Sequence, residues 1–261
     1  MKTQALENIV HKYVYRIEKY SNRLPGSFNK EDIHDLRVNY KKLRAFVRLL
    51  RVHLPPPLKV LYHCCGDVRD RQLLLQQLQE QQFCDQLPCF VNKLQQHLFV
   101  YKEQAVLAIE QLHFKKVVAG IAKQLPPRLR NADLEQFLHL KTASINILLL
   151  VADNDTNLHS VRKHVKDVIY TKRIIEHDAG HTFPETSLGS DDQLNELATQ
   201  LGNFNDRCLQ VSLLQAGEEV DRSEDERIII DRWQQQLIQQ KRTEQQQLQK
   251  TVQKLSRQYA W

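Results

Sequence analysis

A run of apolar residues spaced alternately three and four apart constrains the fold of this chain more than any other feature. The run comprises Ile33, Leu36, Tyr40, Leu43, Val47, Leu50 and Leu54. Side chains at this spacing share one face of an α-helix, and such a face is normally buried. The segment from Asp32 to His53 is therefore predicted to be an amphipathic helix that packs into a core.

A basic stripe follows the apolar run one residue later, or about 100° around the helix. This first basic stripe consists of His34, Arg37, Lys41, Arg44, Arg48 and Arg51, and Lys42 adds a further cation. No Asp or Glu occurs between Asp35 and Asp67 to alternate with these charges. Like charges on neighbouring turns repel each other, so the pattern favours a surface that holds an anion beside a packed face.

Residues that break helices are sparse in the chain. It has 7 Gly and 8 Pro among 261 residues, and five of the prolines fall in the runs 55–57 and 126–127. The long segments between them carry helix formers with apolar residues at helical spacing. We predict an all-α protein of about eight helices, including a Gln-rich C-terminal helix whose apolar face contains Trp233, Leu237 and Leu248.

Charge and cysteine content exclude several classes of protein. The chain carries 37 Lys and Arg against 31 Asp and Glu, a net charge of +6 that favours polyanionic partners. Its five cysteines are odd in number and form no CxxC pair, which argues for buried, reduced thiols and against a zinc site. Neither a signal peptide nor an apolar run long enough to span a bilayer is recognisable. We expect a soluble cytoplasmic protein without metal or cofactor.

The first basic stripe recurs later in the chain. His34, Arg37, Lys41 and Arg48 match residues 125 positions further on, namely His159, Arg162, Lys166 and Arg173. The segment GDVRD, from Gly66 to Asp70, likewise resembles GNFND from Gly202 to Asp206, at an offset of 136. The 11 additional residues are expected in the loop 178–190. We interpret the chain as two copies of one helical unit, about 1–123 and 133–261, joined near residues 124–132.

The two histidines and the two acids at equivalent places in these copies are expected to share a role. His34 and His159 are each expected to donate a hydrogen bond to a phosphate oxygen. Asp70 and Asp206 are expected to orient an Arg, because a half-buried Asp usually pairs with a base. The chain shows no recognisable carboxylate pair, nucleophile beside a base, glycine-rich phosphate loop or HExxH motif. Catalytic and metal-binding residues are therefore not expected.

These segments together resemble the duplicated signature of the CHAD family, the conserved histidine α-helical domains. The matching segments are IHDLRVNYKKLRAFVRLL, CGDVRDRQLLLQQL, LHSVRKHVKDVIYTKRII and LGNFNDRCLQVSLL. The resemblance implies that residues 1–261 form one CHAD domain. It also implies two four-helix bundles, related by a pseudo-twofold axis, that form one compact unit with a central basic channel for inorganic polyphosphate.

The resemblance also implies which residues bind polyphosphate. In the first copy they are His34, Arg37, Lys41, Lys42, Arg44 and Arg48, with Arg51 at the end of the stripe. In the second copy they are His159, Arg162, Lys163, Lys166 and Arg173. Ile169 and Tyr170 stand where the first copy has Arg44 and Ala45, so the second copy is expected to hold fewer phosphates.

Function therefore has one leading interpretation and two alternatives. Many family members carry a fused N-terminal CYTH triphosphate-tunnel domain, but no ExExK pattern opens this chain. We expect a stand-alone, non-catalytic polyphosphate-binding module, associated in the cell with polyphosphate granules. The alternatives are a phosphohydrolase that acts on phosphate chains, and an adaptor for nucleic acid or acidic proteins. The oligomeric state is not determined by these patterns.

Overall fold

The structure, a computed structural model, describes residues 1–150, 154–185, 188–216 and 223–259. These residues form helices joined by short connections, as predicted. The first six helices are α1 (Thr3–Ser21), α2 (Leu24–Ser27), α3 (Lys30–Leu49), α4 (Pro56–Glu80), α5 (Pro88–Glu110) and α6 (Phe114–Ala122). They are followed by α7 (Asn131–Leu150), α8 (Asp155–Arg173), a π-helical turn (Ile174–Asp178), α9 (Asp191–Ala216) and α10 (Glu224–Tyr259).

The helices and loops fall close to their predicted places. Eight of the helices in the described part of the chain have 19 residues or more, and the remaining two, α2 and α6, have four and nine. The expected joining segment lies between α6 and α7, and the described residues of the expected insertion, from Ala179 to Ser190, are not helical. No helix in the described ranges is both long and apolar enough to cross a membrane.

The chain divides into two compact units that draw on both halves of the sequence. The first unit contains Met1–Leu73, Gln96–Phe137 and Tyr170–Pro184. The second contains the described residues of Leu74–Gln95, Leu138–Ile169 and Glu185–Trp261. Because α4, α5, α7 and α8 each contribute to both units, the units do not coincide with the two sequence copies. The copies, about 1–123 and 133–261, stay a prediction from the offsets.

In the first unit, α3 packs against α1 through the predicted apolar face. Ile33, Leu36, Tyr40, Leu43 and Val47 are all at most 3% exposed. The facing residues of α1 are buried to the same degree, and they include Leu6, Val10, Val14 and Ile17. Burying each such side chain contributes about 1.5–3 kcal/mol. Asn29 begins α3 by accepting a hydrogen bond at Oδ1 from the Glu31 amide, 2.7 Å away.

The end of α3 differs from the prediction, because the helix stops at Leu49 and does not continue to His53. The amide of Val52 donates to the carbonyl of Val47 at 2.8 Å, and that of Arg51 donates to Arg48, which together form a Schellman turn. Arg51 occupies the left-handed position of this turn, with φ of 58°. Its side chain therefore leaves the first basic stripe, and Nη2 donates to Oε1 of Gln136 at 2.6 Å.

The second unit is organised around the C-terminal helix. Ile230, Trp233 and Leu237 of α10 pack in one buried cluster with residues of α4, α5 and α9, which include Leu74, Leu78, Phe90, Leu94, Val211 and Leu214. Near the start of α10, buried Glu226 accepts a hydrogen bond from the Cys89 amide at 2.7 Å. The predicted apolar face of the Gln-rich helix is confirmed.

The five cysteines form no disulfide. They were expected to be buried, but their exposure differs from one to the next. Cys65 is buried, Cys89 is exposed and the others are half-buried. Burial raises the pKa of the Cys65 thiol to about 12, with the charge of Arg37 opposing it. Burial, reinforced by the carboxylate of Asp155, raises the pKa of Cys208 to about 11. These two thiols are therefore protonated and unreactive at neutral pH.

Replacing Gln82 by Gly should raise the free energy of unfolding by roughly 0.5–1 kcal/mol. Gln82 occupies the left-handed position after α4, with φ of 57°, and a side chain is strained there. Gln81 is the matched control, because it precedes Gln82 and lies outside the left-handed region. Gln81→Gly should lower stability. Urea denaturation measures both, and equal effects of the two variants would contradict a strained turn.

Candidate anion-binding site

Arg37 of the first basic stripe is held against α4. Its Nη1 donates to the carbonyl oxygen of Tyr62 at 2.9 Å, and its guanidinium carbon lies 4.5 Å from the centre of the Tyr62 ring. One turn further along α4, a Cβ at Gly66 would be only 2.2 Å from Nη1. The guanidinium therefore occupies the space where residue 66 has no side chain.

Arg44 lies beside a pair of aromatic rings that includes Tyr62, the residue that contacts Arg37. The rings of Tyr40 and Tyr62 stack with centres 4.2 Å apart, and the Arg44 guanidinium lies 5.9 Å from each. Nε of Arg44 is buried and has no hydrogen-bond partner within the described residues. Aromatic faces attract a cation without neutralising it, so Arg37 and Arg44 are positioned while their charge stays available.

The electrostatic effect of these cations is visible on a neighbouring group. The pKa of His63 is lowered by partial burial and then by the positive charges of Lys59 and Arg37. Burial disfavours the charged imidazolium, and nearby cations disfavour it further. The surroundings of Arg37 are therefore electropositive.

The second copy repeats the contact between Arg and Gly in a looser form. Arg162 of α8 passes Gly202 of α9, and a Cβ at Gly202 would lie 3.9 Å from Nε and from Nη2 of Arg162. Nε of Arg162 is also buried without a hydrogen-bond partner in the described part of the chain. The Tyr40 and Tyr62 positions correspond to Val165 and Ala198 at the two offsets. An aromatic support like that of Arg37 is therefore lacking at these two positions.

The two histidines have different surroundings. Nδ1 of His159 lies within hydrogen-bonding distance of Oδ1 of Asn205, and the ring is half-buried. With Oδ1 as the acceptor, His159 carries a proton on Nδ1. His34 is exposed. The structure thus orients one of the two histidines through a side chain that the repeat comparison had not singled out.

The remaining residues expected to bind polyphosphate lie at several degrees of exposure. Lys41 and Lys166 are half-buried, whereas Arg48, Lys163 and Arg173 are exposed. Arg51 lies beyond the end of α3 and contacts Gln136, so it is not part of the helical stripe. Lys42 lines a pocket between α1 and α3 and lies on a different face of α3 from the stripe.

The two acids expected to orient an Arg lie on the helices that contact the arginines. Asp70 is half-buried on α4, and Asp206 is exposed on α9, where Nδ2 of Asn205 lies 3.5 Å from its Oδ1. Arg37 itself is oriented by the carbonyl and ring of Tyr62. The role of Asp70 and Asp206 stays a prediction. Within the described ranges, no group of three or more His, Cys, Asp and Glu side chains is arranged to hold a metal ion.

Asp178 attaches the π-helical turn to α1. It accepts hydrogen bonds from Nζ of Lys12, at 2.6 Å, and from the Tyr13 hydroxyl. Burial of Asp178 opposes ionisation, but the hydrogen bonds from Lys12 and Tyr13 outweigh it and lower the pKa of this carboxyl. Burial and the Asp178 carboxylate raise the pKa of Tyr13. The turn that follows Arg173 is thereby fixed to the helix that packs on α3.

Sequence reasoning missed Tyr62, Asn205 and the basic residues of α1. Tyr62 lies one turn before Gly66, and Asn205 lies within the segment GNFND, so both stood next to a recognised motif. Lys12, Arg16 and Lys19 follow the same spacing of four and three as the basic stripes. That spacing is a usable sequence signal for a basic face of α1.

Comparison with known proteins agrees with this architecture. The family model of the CHAD domain matches residues 9–215. The crystal structure of the CHAD domain from the plant Ricinus communis resembles this chain with a TM-score of 0.64 and 16% sequence identity. That likeness covers 95% of this chain and 85% of the plant chain, and it concerns the fold alone. No curated protein sequence matches.

Gly66→Ala and Gly202→Ala form a matched pair that tests how Arg37 is held. Alanine favours a helix over glycine, so Gly202→Ala should raise the free energy of unfolding by about 0.5–1 kcal/mol. The Gly66→Ala variant should be stabilised less than the Gly202→Ala variant, or should be destabilised, because the new methyl group displaces Arg37 from Tyr62. Chemical denaturation of both variants measures the difference, and equal stabilisation would show that Arg37 is not confined at Gly66.

Asp178→Asn tests the attachment of the π-helical turn to α1. The pKa of Asp178 is lower in the folded protein than in the unfolded chain, where it is about 3.9. The ionised carboxylate therefore stabilises the folded protein above that pH. This contribution is lost as the pH falls through the folded-state pKa. The variant should be less stable at neutral pH by roughly 1–2 kcal/mol. Denaturation between pH 3 and 7 should show the deficit shrinking towards the acidic end, and a constant deficit would contradict an ionic contribution.

Proposed function

The chain belongs to the CHAD family, and from that premise we propose that it binds inorganic polyphosphate through the basic residues of α3 and α8 without hydrolysing it. Polyphosphate is a linear polymer of negatively charged phosphates. A helical row of cations presents charges at regular intervals along such a chain. Association with polyphosphate granules in the cell is part of this proposal.

One observation carries the proposal: three half-buried arginines of the two stripes have no acidic partner among the residues that the structure describes. Within the described part of the chain, no carboxylate pairs with Arg37, Arg44 or Arg162. Partly buried charges are normally paired, because removal from water is costly. Arginines that are positioned by aromatic rings, a backbone carbonyl and a glycine, yet left unneutralised, suit an external anion.

The proposed contacts follow from the chemistry of each side chain. Arg37, Arg44 and Arg162 present forked donors that match two oxygens of a phosphate, whereas lysines contribute point charges. His159, oriented by Asn205, is proposed to donate a hydrogen bond to a phosphate oxygen. The proposed set is completed by the other residues of α3 and α8 that the family resemblance implies, namely His34, Lys41, Arg48, Lys163, Lys166 and Arg173.

Binding without hydrolysis is proposed because the stripes supply cations and no evident nucleophile. Hydrolysis of a phosphate chain needs a positioned nucleophile or an activated water. Incubation with long-chain polyphosphate and Mg²⁺ or Mn²⁺ tests this point. We expect intact polymer and no released phosphate. Sustained release that is lost in His159→Ala would establish the phosphohydrolase alternative instead.

The charge-reversal variant Arg37→Glu with Arg162→Glu should weaken polyphosphate binding by roughly 100-fold or more, since each charged hydrogen bond contributes about 1.5–3 kcal/mol. Lys115→Glu with Lys116→Glu is the matched control, because it makes the same change in net charge at exposed positions outside the stripes. Titration calorimetry measures the polyphosphate affinity of both variants at several salt concentrations. The logarithm of the affinity should fall linearly with the logarithm of the salt concentration.

Two further measurements complete this test. Arg37→Lys should also bind more weakly than the unmodified protein, because lysine cannot reproduce the forked contact. Competition between polyphosphate and single-stranded RNA ranks the adaptor alternative. Tight polyphosphate binding by the double charge-reversal variant, or displacement of polyphosphate by RNA at equal phosphate concentration, would refute the proposed function.

A further inference from the structure

A basic pocket lies between α1 and α3, apart from the first basic stripe. It has a volume of about 500 Å³, which is typical of a small-molecule site. The α1–α3 pocket is lined by the cations Lys12, Arg16, Lys19 and Lys42, together with Asp35 and Asn39. All of these residues belong to the first unit.

The helical position of Lys42 separates this pocket from the stripe. Asp35, Val38, Asn39 and Lys42 are spaced three, one and three residues apart, so they share one face of α3. Lys41 belongs to the stripe, and it is turned about 100° away from its neighbour Lys42. Two adjacent lysines therefore serve two different surfaces.

The α1–α3 pocket carries positive charge that the protein does not neutralise. Lys12 is paired with Asp178, but Arg16, Lys19 and Lys42 add three further cations against the single carboxylate of Asp35. The pKa of Lys42 is lowered by burial and by the neighbouring charge of Arg16. The carboxylate of Asp178 opposes this shift, and Arg173 and Lys12 add smaller lowering effects, so the pKa stays below its ordinary value. An anion in the pocket would relieve this repulsion.

At the equivalent positions of the second copy, a cation is paired with a carboxylate. At the offset of 125, Arg16 corresponds to Lys141 and Lys42 corresponds to Asp167. Nζ of Lys141 lies 2.6 Å from Oδ2 of Asp167, whose side chain is 1% exposed. The second copy thus neutralises its cation internally. The remaining pocket cations, Lys12 and Lys19, correspond to Phe137 and Ser144.

We propose that the α1–α3 pocket is a second anion site, present in the first copy only, which binds a small phosphorylated polyol. Its cations would hold the phosphate groups. The acceptors would bind the hydroxyl groups, because the Asp35 carboxylate faces the pocket and has capacity beyond its bond from Tyr20. Asn39 also lines the pocket, and its buried Oδ1 has no hydrogen-bond partner among the described residues. A polyphosphate segment has no hydroxyl along its length, so these acceptors disfavour it.

Adjacent lysine variants separate this site from the proposed polyphosphate site. The probe is fructose bisphosphate, and affinity is measured by titration calorimetry alongside that for long-chain polyphosphate. Lys42→Met should weaken fructose bisphosphate binding about tenfold or more and leave polyphosphate binding within about twofold. Lys41→Met should do the reverse. Because both ligands are measured on both variants, failure of one site is distinguishable from failure of the other.

Two further variants keep the test independent of folding at position 42. Lys42→Asp places an acid next to Arg16, as Asp167 lies next to Lys141 in the second copy. This variant should therefore fold, and it should lose fructose bisphosphate binding. Lys19→Met, at an exposed position, should weaken binding without affecting stability. Tripolyphosphate serves as an anion without hydroxyl groups and should bind more weakly than fructose bisphosphate.

Three results would overturn the proposal. The first is no binding of fructose bisphosphate to the unmodified protein. The second is unchanged binding in both Lys42→Met and Lys19→Met. The third is tripolyphosphate binding that equals or exceeds fructose bisphosphate binding, since that result would contradict a role for the hydroxyl acceptors.

Discussion

The placement of a charged guanidinium between two packed helices is the constraint on which the candidate site depends. Arg37 lies where α3 meets α4, and a side chain at residue 66 would occupy the same space. The Tyr62 carbonyl satisfies one of its donors and the Tyr62 ring covers its face. The same geometry explains why a glycine, a tyrosine and an arginine, which are separated in sequence, must be considered as one structural feature.

Basic residues are accommodated in two ways in the described part of the chain. Buried Asp167 neutralises Lys141 at 2.6 Å, so that cation contributes to the structure itself. Arg37 and Arg44 are instead supported by rings and a carbonyl that carry no full charge. A charge that is paired internally is unavailable to a ligand, whereas a supported but unpaired charge stays available. Internal pairing of a cation therefore has a direct consequence for which surfaces attract anions.

How much could be predicted from sequence differs between residues for identifiable reasons. The buried face of α3 was predicted correctly because its spacing is a local property of an α-helix. Arg51 was wrongly placed on the stripe because the Schellman turn after Leu49 ends the helix, and a non-glycine residue at its left-handed position gives no sequence signal. The support of Arg37 by Tyr62 was missed because the two residues are 25 positions apart and belong to different helices.

The resemblance of four segments to the CHAD signature identified the family, and periodicity and charge were enough to predict an all-helical chain with two basic helical faces. These properties depend on neighbours along one helix, and the sequence contains them fully. Tertiary packing alone decided which cations are neutralised, because that depends on what adjacent helices bring near them. It paired Lys12 with Asp178, left Arg44 beside two tyrosines, and placed cations of α1 next to Lys42 so that a pocket forms. The physical reason is that desolvation and charge pairing act between neighbouring helices. The residue order within one helix does not specify which side chains of another helix lie beside it.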